Sequence, residues 1–141
     1  MLLLWALAAC VAGETTETGD SGGDLGTECG ETTTYDIEIS GKVTDSAGKA
    51  LAGMRVYLDD RGQTHTSLGE GTTKPDGQAT FTAAGVTAIE NCWMVLDYWL
   101  VAEDPADTTR TDEDDMNTQL FNAIDDGSLN VDSTEFPLVL P

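Results

Sequence analysis

Basic side chains are scarce in this sequence: six Lys and Arg stand against 26 Asp and Glu, for a formal net charge of −20. A chain this negative repels phosphate and has no Lys/Arg cluster, which leaves no place for a nucleic-acid partner. Histidine occurs once, at His65, and cysteine three times, a set without the ligand spacing of a zinc site. No apolar run reaches the roughly 20 residues that a membrane-spanning helix needs. Gly-x-Ser-x-Gly, His-Glu-x-x-His and phosphate-cradling glycine loops are all missing. Aromatic residues make up only 6%, yet 40% of the 141 residues are apolar, too many for wholesale disorder and enough for one domain.

What is there is unevenly spread. Gly13 to Thr34 holds six acids and no base, Tyr35 to Glu103 ten acids and five bases, and Asp104 to Pro141 ten acids and Arg110. The least charged stretch is also the most apolar, as expected of a folded body between acidic flanks.

Met1-Leu-Leu-Leu-Trp-Ala-Leu-Ala-Ala-Cys10 reads as the apolar region of a signal peptide, although no Lys or Arg precedes Lys42. Leu7-Ala-Ala-Cys10 resembles a bacterial lipobox, in which the thiol takes a diacylglycerol and the chain is cut just before it. Small residues fit the peptidase, and two or three acyl chains hold a protein stably at a membrane where one does so only marginally. Ordinary secretion, with cleavage near Ala8 or Ala9 and Cys10 unmodified, is the alternative. Val11 follows where an Asp would retain some lipoproteins at the inner membrane, which favours the outer one. The expected partners are therefore the membrane, through the anchor, and an envelope protein or glycan.

Gly13 to Thr34 contains six Gly, seven Thr and almost nothing apolar, so burial cannot offset its ordering entropy. It reads as a flexible tether with a typical span of about 25 Å. With Cys10 lipidated, Cys29 and Cys92 remain, and in an oxidising compartment such a pair bridges. A bridge closing a loop of this length contributes roughly 4 kcal/mol in the chain-entropy model. Free thiols are the other possibility.

From Tyr35 the pattern changes to period two. Tyr35, Ile37 and Ile39 alternate with Asp36, Glu38 and Ser40, predicting a half-buried strand on to Val43. Asp45-Ser-Ala-Gly48 is turn chemistry, as is Pro75-Asp-Gly77. Met54, Val56 and Leu58 mark a second strand; Ala79, Phe81 and Ala83 mark another. Cys92 to Val101 predicts a long central strand, and Phe136-Pro-Leu-Val-Leu140 an edge strand, where Pro is tolerated. Asp104 to Asp132 reads as a loop carrying a short helix near 115–126, with Leu120, Phe121 and Ile124 facing the body. Short strands separated by turn signals predict an all-β sandwich.

Ile39-Ser-Gly-Lys-Val-Thr-Asp-Ser-Ala-Gly-Lys-Ala-Leu-Ala-Gly-Met-Arg-Val-Tyr-Leu58 resembles the opening of carboxypeptidase regulatory-like domains. There a Gly-x-Val strand meets an Asp-x-x-Gly turn and a Leu-x-Gly-x-x-Val strand. Thr72-Thr-Lys-Pro-Asp-Gly-Gln-Ala-Thr-Phe81 is similar to that family's Thr-x-x-Asp-Gly-x-x-x-Phe hairpin. The resemblance runs from about Ile37 to Phe81 and implies a transthyretin-like (prealbumin-like, Ig-like) β-sandwich. Its motifs are turns and core positions, so it speaks for fold rather than activity. Transthyretin-like hydrolases have a His-rich site and a C-terminal Tyr-Arg-Gly-Ser, and intradiol dioxygenases bind iron through two His and two Tyr. A single His and the ending Leu-Val-Leu-Pro match neither.

Two clusters remain as candidate sites. Asp112-Glu113-Asp114-Asp115 offers the hard oxygens that calcium prefers, although the Asp-x-Asp-x-Asp-Gly loop with a later Glu is absent, and a run of acids also serves merely as a solvated face. Trp93, Asp97 and Trp99 share one face of the predicted strand, as a sugar-stacking surface or as half of a strand covered on both sides by, for instance, the helix. His65 is expected to be solvated in a polar loop. The sequence thus describes a signal peptide (1–9), a lipidated Cys10 with an acidic tether (10–34) and a β-sandwich (35–141). The expected product is a non-catalytic envelope lipoprotein without a cofactor, unless calcium binds the acids. The alternative is a carbohydrate- or peptide-binding domain using the Trp93/Trp99 face.

Overall fold

Strand β1 (Thr32–Asp45) carries the alternation that the sequence announces. Ile37, Ile39 and Val43 are wholly buried, while Glu38 and Lys42 point outward. The computed structural model describes residues 28–62, 65–92 and 96–141. The strand stops where Asp45 folds back on itself, its Oδ1 accepting from Ala47 N–H and Lys49 N–H at 2.9 Å. Gly48 takes a φ of +79° in that turn, a backbone conformation that other residues adopt with strain.

The chain then forms β2 (Arg55–Asp60), β3 (Thr66–Thr72), β4 (Gln78–Ile89), β5 (Tyr98–Asp104), β6 (Asp107–Asp115), helix α1 (Asn117–Asp125) and β7 (Asn130–Leu140). One sheet has the order β4-β1-β7 and the other β3-β2-β5-β6. β1 pairs antiparallel with β4 and parallel with β7; the pairs in the four-stranded sheet are all antiparallel. Two sheets packed face to face, with one helix, make an all-β sandwich.

The core lies between the sheets. Ile37, Ile39 and Phe81 on one side meet Val56, Leu58 and Leu100 on the other. Among the described residues Tyr98 is the largest fully buried side chain, and its hydroxyl crosses to the opposite sheet, where it accepts from Thr87 N–H at 2.9 Å. The open sides of the sandwich are closed by different means. On one side β3 lies against β4 because Gly69 has no side chain: a Cβ there would sit 2.2 Å from the Thr82 carbonyl oxygen. On the other, Arg110 Nε donates to the Pro141 carbonyl at 2.8 Å, and Asp112 Oδ2 accepts from Val139 N–H at 2.6 Å. These side chains occupy backbone groups of an edge strand that would otherwise be open to another chain.

Four expectations need correction. The folded body does not begin at Tyr35: Thr32 already pairs with Ile89, and Gly30 N–H donates to the Glu90 carbonyl at 2.8 Å. The three threonines at 32–34 are β-branched and suit the strand despite their polarity. Asp104 to Asp115 is not a loop; it is a hairpin into β6, a strand polar on both faces and therefore without hydrophobic alternation. β3 replaces the polar loop expected around His65, and its two glycines, Gly69 and Gly71, let it approach β4. The strand expected from Cys92 begins only at Tyr98 and runs on to Asp104, with Trp93 to Val95 outside the described residues.

The helix falls where expected, with Leu120 and Ala123 buried and Phe121 only half-buried. It packs against β7 and β1 rather than over the outer face of β5. Pro137 sits on the edge strand β7, at a bulge where the register with β1 passes from Gly41/Ser133 to Val43/Leu138.

Removing the cross-sheet hydroxyl tests how much the core depends on it. Tyr98→Phe keeps the ring but leaves Thr87 N–H without its partner, a cost of about 1–2 kcal/mol. Thermal unfolding followed by circular dichroism is expected to show a Tm lower by roughly 4–8 °C.

Candidate functional site

The helix does not cover the outer face of the four-stranded sheet, and strand alternation decides what that face displays. Leu58, Leu100 and Ala102 turn into the core, so Arg55, Tyr57 and Asp59 of β2 turn outward with Trp99, Val101 and Glu103 of β5. The register sets these in rows: Arg55 beside Glu103, Tyr57 beside Val101 and Glu113, Asp59 beside Trp99 and Asp115. Glu70 of β3 stands opposite Tyr57.

Two arginines organise this face. Arg55 donates from Nη2 to Glu70 Oε2 at 2.6 Å and from Nη1 to Glu103 Oε1 at 2.8 Å, bridging three strands. Its guanidinium lies 4.4 Å from the centre of the Tyr57 ring. Arg61 forks onto the Glu113 carboxylate with both terminal nitrogens and donates from Nε to Asp59 Oδ2 at 3.1 Å. It lies 4.6 Å from the centre of the Trp99 ring. Both are planar cations stacked on aromatic faces while held by carboxylates, an arrangement open to arginine and not to lysine.

Each contact shifts proton affinity in the expected sense. Hydrogen bonding to Glu103 and Glu70 raises the Arg55 pKa, and the Glu113 contact raises that of Arg61. The same Arg61 contact holds the Glu113 carboxyl below the usual glutamate value. Burial, with the nearby Glu103 charge, pushes the Tyr57 phenol up. Exposed ion pairs contribute only about 0–1 kcal/mol each, so the ladder fixes geometry more than it adds stability.

Of the expected stacking face, Asp97 and Trp99 are placed together: the indole Nε1 donates to Asp97 Oδ1 at 2.5 Å, and the Asp97 carbonyl accepts from Arg61 N–H at 2.8 Å. Trp93 lies outside the described residues. Arg61 covers one side of the Trp99 ring, so a stacking ligand has the other side or must displace the guanidinium. His65 is largely exposed, as expected, with Nδ1 3.3 Å from Asp59 Oδ2.

The four acids at 112–115 are not gathered. As neighbours on β6 they alternate between its two faces, and three have other engagements. Asp112 accepts from Val139 N–H, Glu113 holds Arg61, and Asp115 Oδ1 accepts from Asn117 N–H at 2.8 Å. Among the described residues, no group of three or more His, Cys, Asp or Glu side chains is arranged to hold a metal ion. Cys29 and Cys92 are joined by a disulfide, with Cα atoms 5.2 Å apart, tying the start of β1 to the end of β4.

Sequence reasoning missed the arginine ladder. Arg55, Tyr57 and Asp59 alternate in plain sight, but Glu70, Glu103 and Glu113 come from three other strands, and only the register brings them alongside. Neither a protein-family model nor a curated protein matches this chain.

The Glu113 contact carries a pH signature. Its folded pKa is depressed, so its contribution is complete above the ordinary value of about 4.5 and is lost as pH falls through the lower folded value. The Tm difference between the native chain and Glu113→Gln is expected to be present at pH 7 and to shrink progressively as pH falls below the ordinary glutamate value. A difference independent of pH would mean that the charge on Glu113 is not what the pair uses.

Proposed function

We propose that this chain is a lipid-anchored protein of a bacterial cell envelope, presenting its β-sandwich as a non-catalytic structural or binding module. The observation that carries this reading is the Cys29–Cys92 disulfide. Such bridges persist where thiols are oxidised, outside the cytosol, which agrees with the export signal read at Met1–Cys10. The third cysteine, Cys10, ends Leu7-Ala-Ala-Cys and is the residue that a lipid would take. The non-catalytic part rests on the resemblance to carboxypeptidase regulatory-like domains, whose matching residues are turn and core positions. It also rests on the candidate face, where carboxylates and guanidinium groups satisfy one another.

A second reading has one observation in its favour. Trp99 and Asp97 stand on the outward face beside Tyr57, Arg55 and Arg61, residue types that dominate recognition surfaces. This face is the place for a carbohydrate or peptide ligand.

The anchor is tested by the intact mass of protein extracted from membranes. A mature chain beginning at Cys10 and carrying diacylglycerol is expected, with Cys10→Ser moving the protein to the soluble fraction; an unacylated native product overturns the anchor. The second reading is tested on a glycan and peptide array. Binding lost in Trp99→Ala supports it, and binding equal to that of the native chain removes it.

A further inference from the structure

We propose that the sandwich is built to carry tension between the segment entering at Cys29 and its C-terminal strand, with the disulfide dividing the load between β1 and β4. This goes beyond the anchoring proposal and stands on strand geometry, whether or not Cys10 is acylated.

The argument starts from strand direction. β1 occupies the centre of its sheet, and β7 runs parallel to it, paired from Glu38/Asn130 to Asp45/Leu140. The parallel pairing puts the start of β1 and the finish of β7 at opposite ends of the sheet. A force drawn between Cys29 and Pro141 therefore pulls the two strands past each other along their length. Hydrogen bonds lying across that direction are strained together and must break in concert. In the opposite geometry, with both strands pulled from one end, they open one at a time. Forced unfolding is governed by the barrier and not by the equilibrium stability, so concerted rupture is the resistant case.

The disulfide adds a second path. β4 runs antiparallel to β1, with Ile89 opposite Thr32, and Cys92 follows only three residues later. The bond from Cys29 to Cys92 thus joins the two strands at the end where the load enters. β1 cannot slide past β4 at that end; the strands move together or not at all. β4 in turn packs closely against β3, where Gly69 leaves room for the Thr82 carbonyl. At the other end of the load, Arg110 holds the Pro141 carbonyl and Asp112 holds Val139 N–H, passing force from β7 into β6 of the second sheet. Both sheets are therefore coupled to both ends of the pull.

Single-molecule pulling on the full chain tests this. One handle is placed on the unacylated Cys10 thiol and the other on a C-terminal tag. In the comparison chain, Cys10→Ser with Ala47→Cys, the first handle moves to the exposed turn beyond β1. Ala47 and Pro141 lie past the same end of the β1–β7 ladder, so this pull opens it pair by pair. At equal loading rate, the Cys10 geometry is expected to need several-fold more force.

The length released in that geometry reports the disulfide path. At about 3.5 Å per residue, the oxidised chain frees only the segment beyond Cys92, about 170 Å of extended chain, whereas the reduced chain or Cys29→Ser/Cys92→Ser frees about 390 Å, each less the same folded end-to-end distance. Equal forces in the two geometries overturn the proposal, as does the long release in the oxidised chain.

Discussion

The contact on which the rest depends is the one that Tyr98 makes across the sandwich. Its ring is buried in the core, and its hydroxyl bonds to the Thr87 backbone in the other sheet. Its own backbone is committed as well: the N–H donates to Asn117 Oδ1 at 3.1 Å, and the carbonyl accepts from Met116 N–H at 2.9 Å, where the helix starts. One residue thereby fixes the spacing of the sheets and the position of α1. Strand alternation then leaves no freedom for its neighbours. With Tyr98 inward, Trp99 faces outward, and the face that Arg55 and Arg61 organise follows from that register.

That face also shows how a chain so poor in cations uses its arginines. There are three, and each ties together elements distant in sequence. Arg55 spans β3, β2 and β5; Arg61 joins the end of β2 to β6; Arg110 pairs with Asp104 and reaches the C-terminal carbonyl. A planar fork can satisfy two carboxylate oxygens at once while lying on a ring, which an ammonium cannot do. In a molecule whose charges mostly repel, Arg55 and Arg61 sit where strands would otherwise bring acids together.

How much was legible in the sequence follows from whether a residue's role is local. The alternation of Ile37 and Ile39, the turns at Asp45–Gly48 and Pro75–Gly77, and the helix ahead of Gly127 are encoded within a few residues of where they act, and were readable. β3 and β6 were not. A strand read from hydrophobic period needs one apolar face, and β6 has none because its inner-row acids lie at the sandwich edge, where Asp112 is bound by β7. β3 contains Gly69 and Gly71, which lower strand propensity, yet the closeness of β4 requires them. The candidate face was half legible: Asp97 and Trp99 could be put on one side of a strand, but nothing local says that Arg61 comes to lie over the indole.

The excess of acid takes on a different meaning in the folded chain. Eight aspartates, at 45, 60, 76, 104, 107, 115, 126 and 132, each accept the backbone N–H two residues further on. This is the Asx arrangement, in which a carboxylate reproduces the carbonyl of a backbone turn. Such bonds favour the ionised form: the Thr109 and Thr134 side chains, with their N–H groups, hold Asp107 and Asp132 below the ordinary aspartate value, and the Ser128 N–H does the same for Asp126. The charge is therefore not only a solvating coat. It stands at strand ends, the hairpin, the helix boundaries and the bulge of β7, where an orphan N–H needs an acceptor. Asparagine would serve the same geometry as a neutral acceptor, so the geometry alone does not demand the charge. What the carboxylate adds is a stronger acceptor at each corner, and repulsion between corners that face the solvent. An acidic edge also discourages pairing with a second acidic copy, which suits the β6/β7 side of the sandwich, closed by side chains rather than by a further strand.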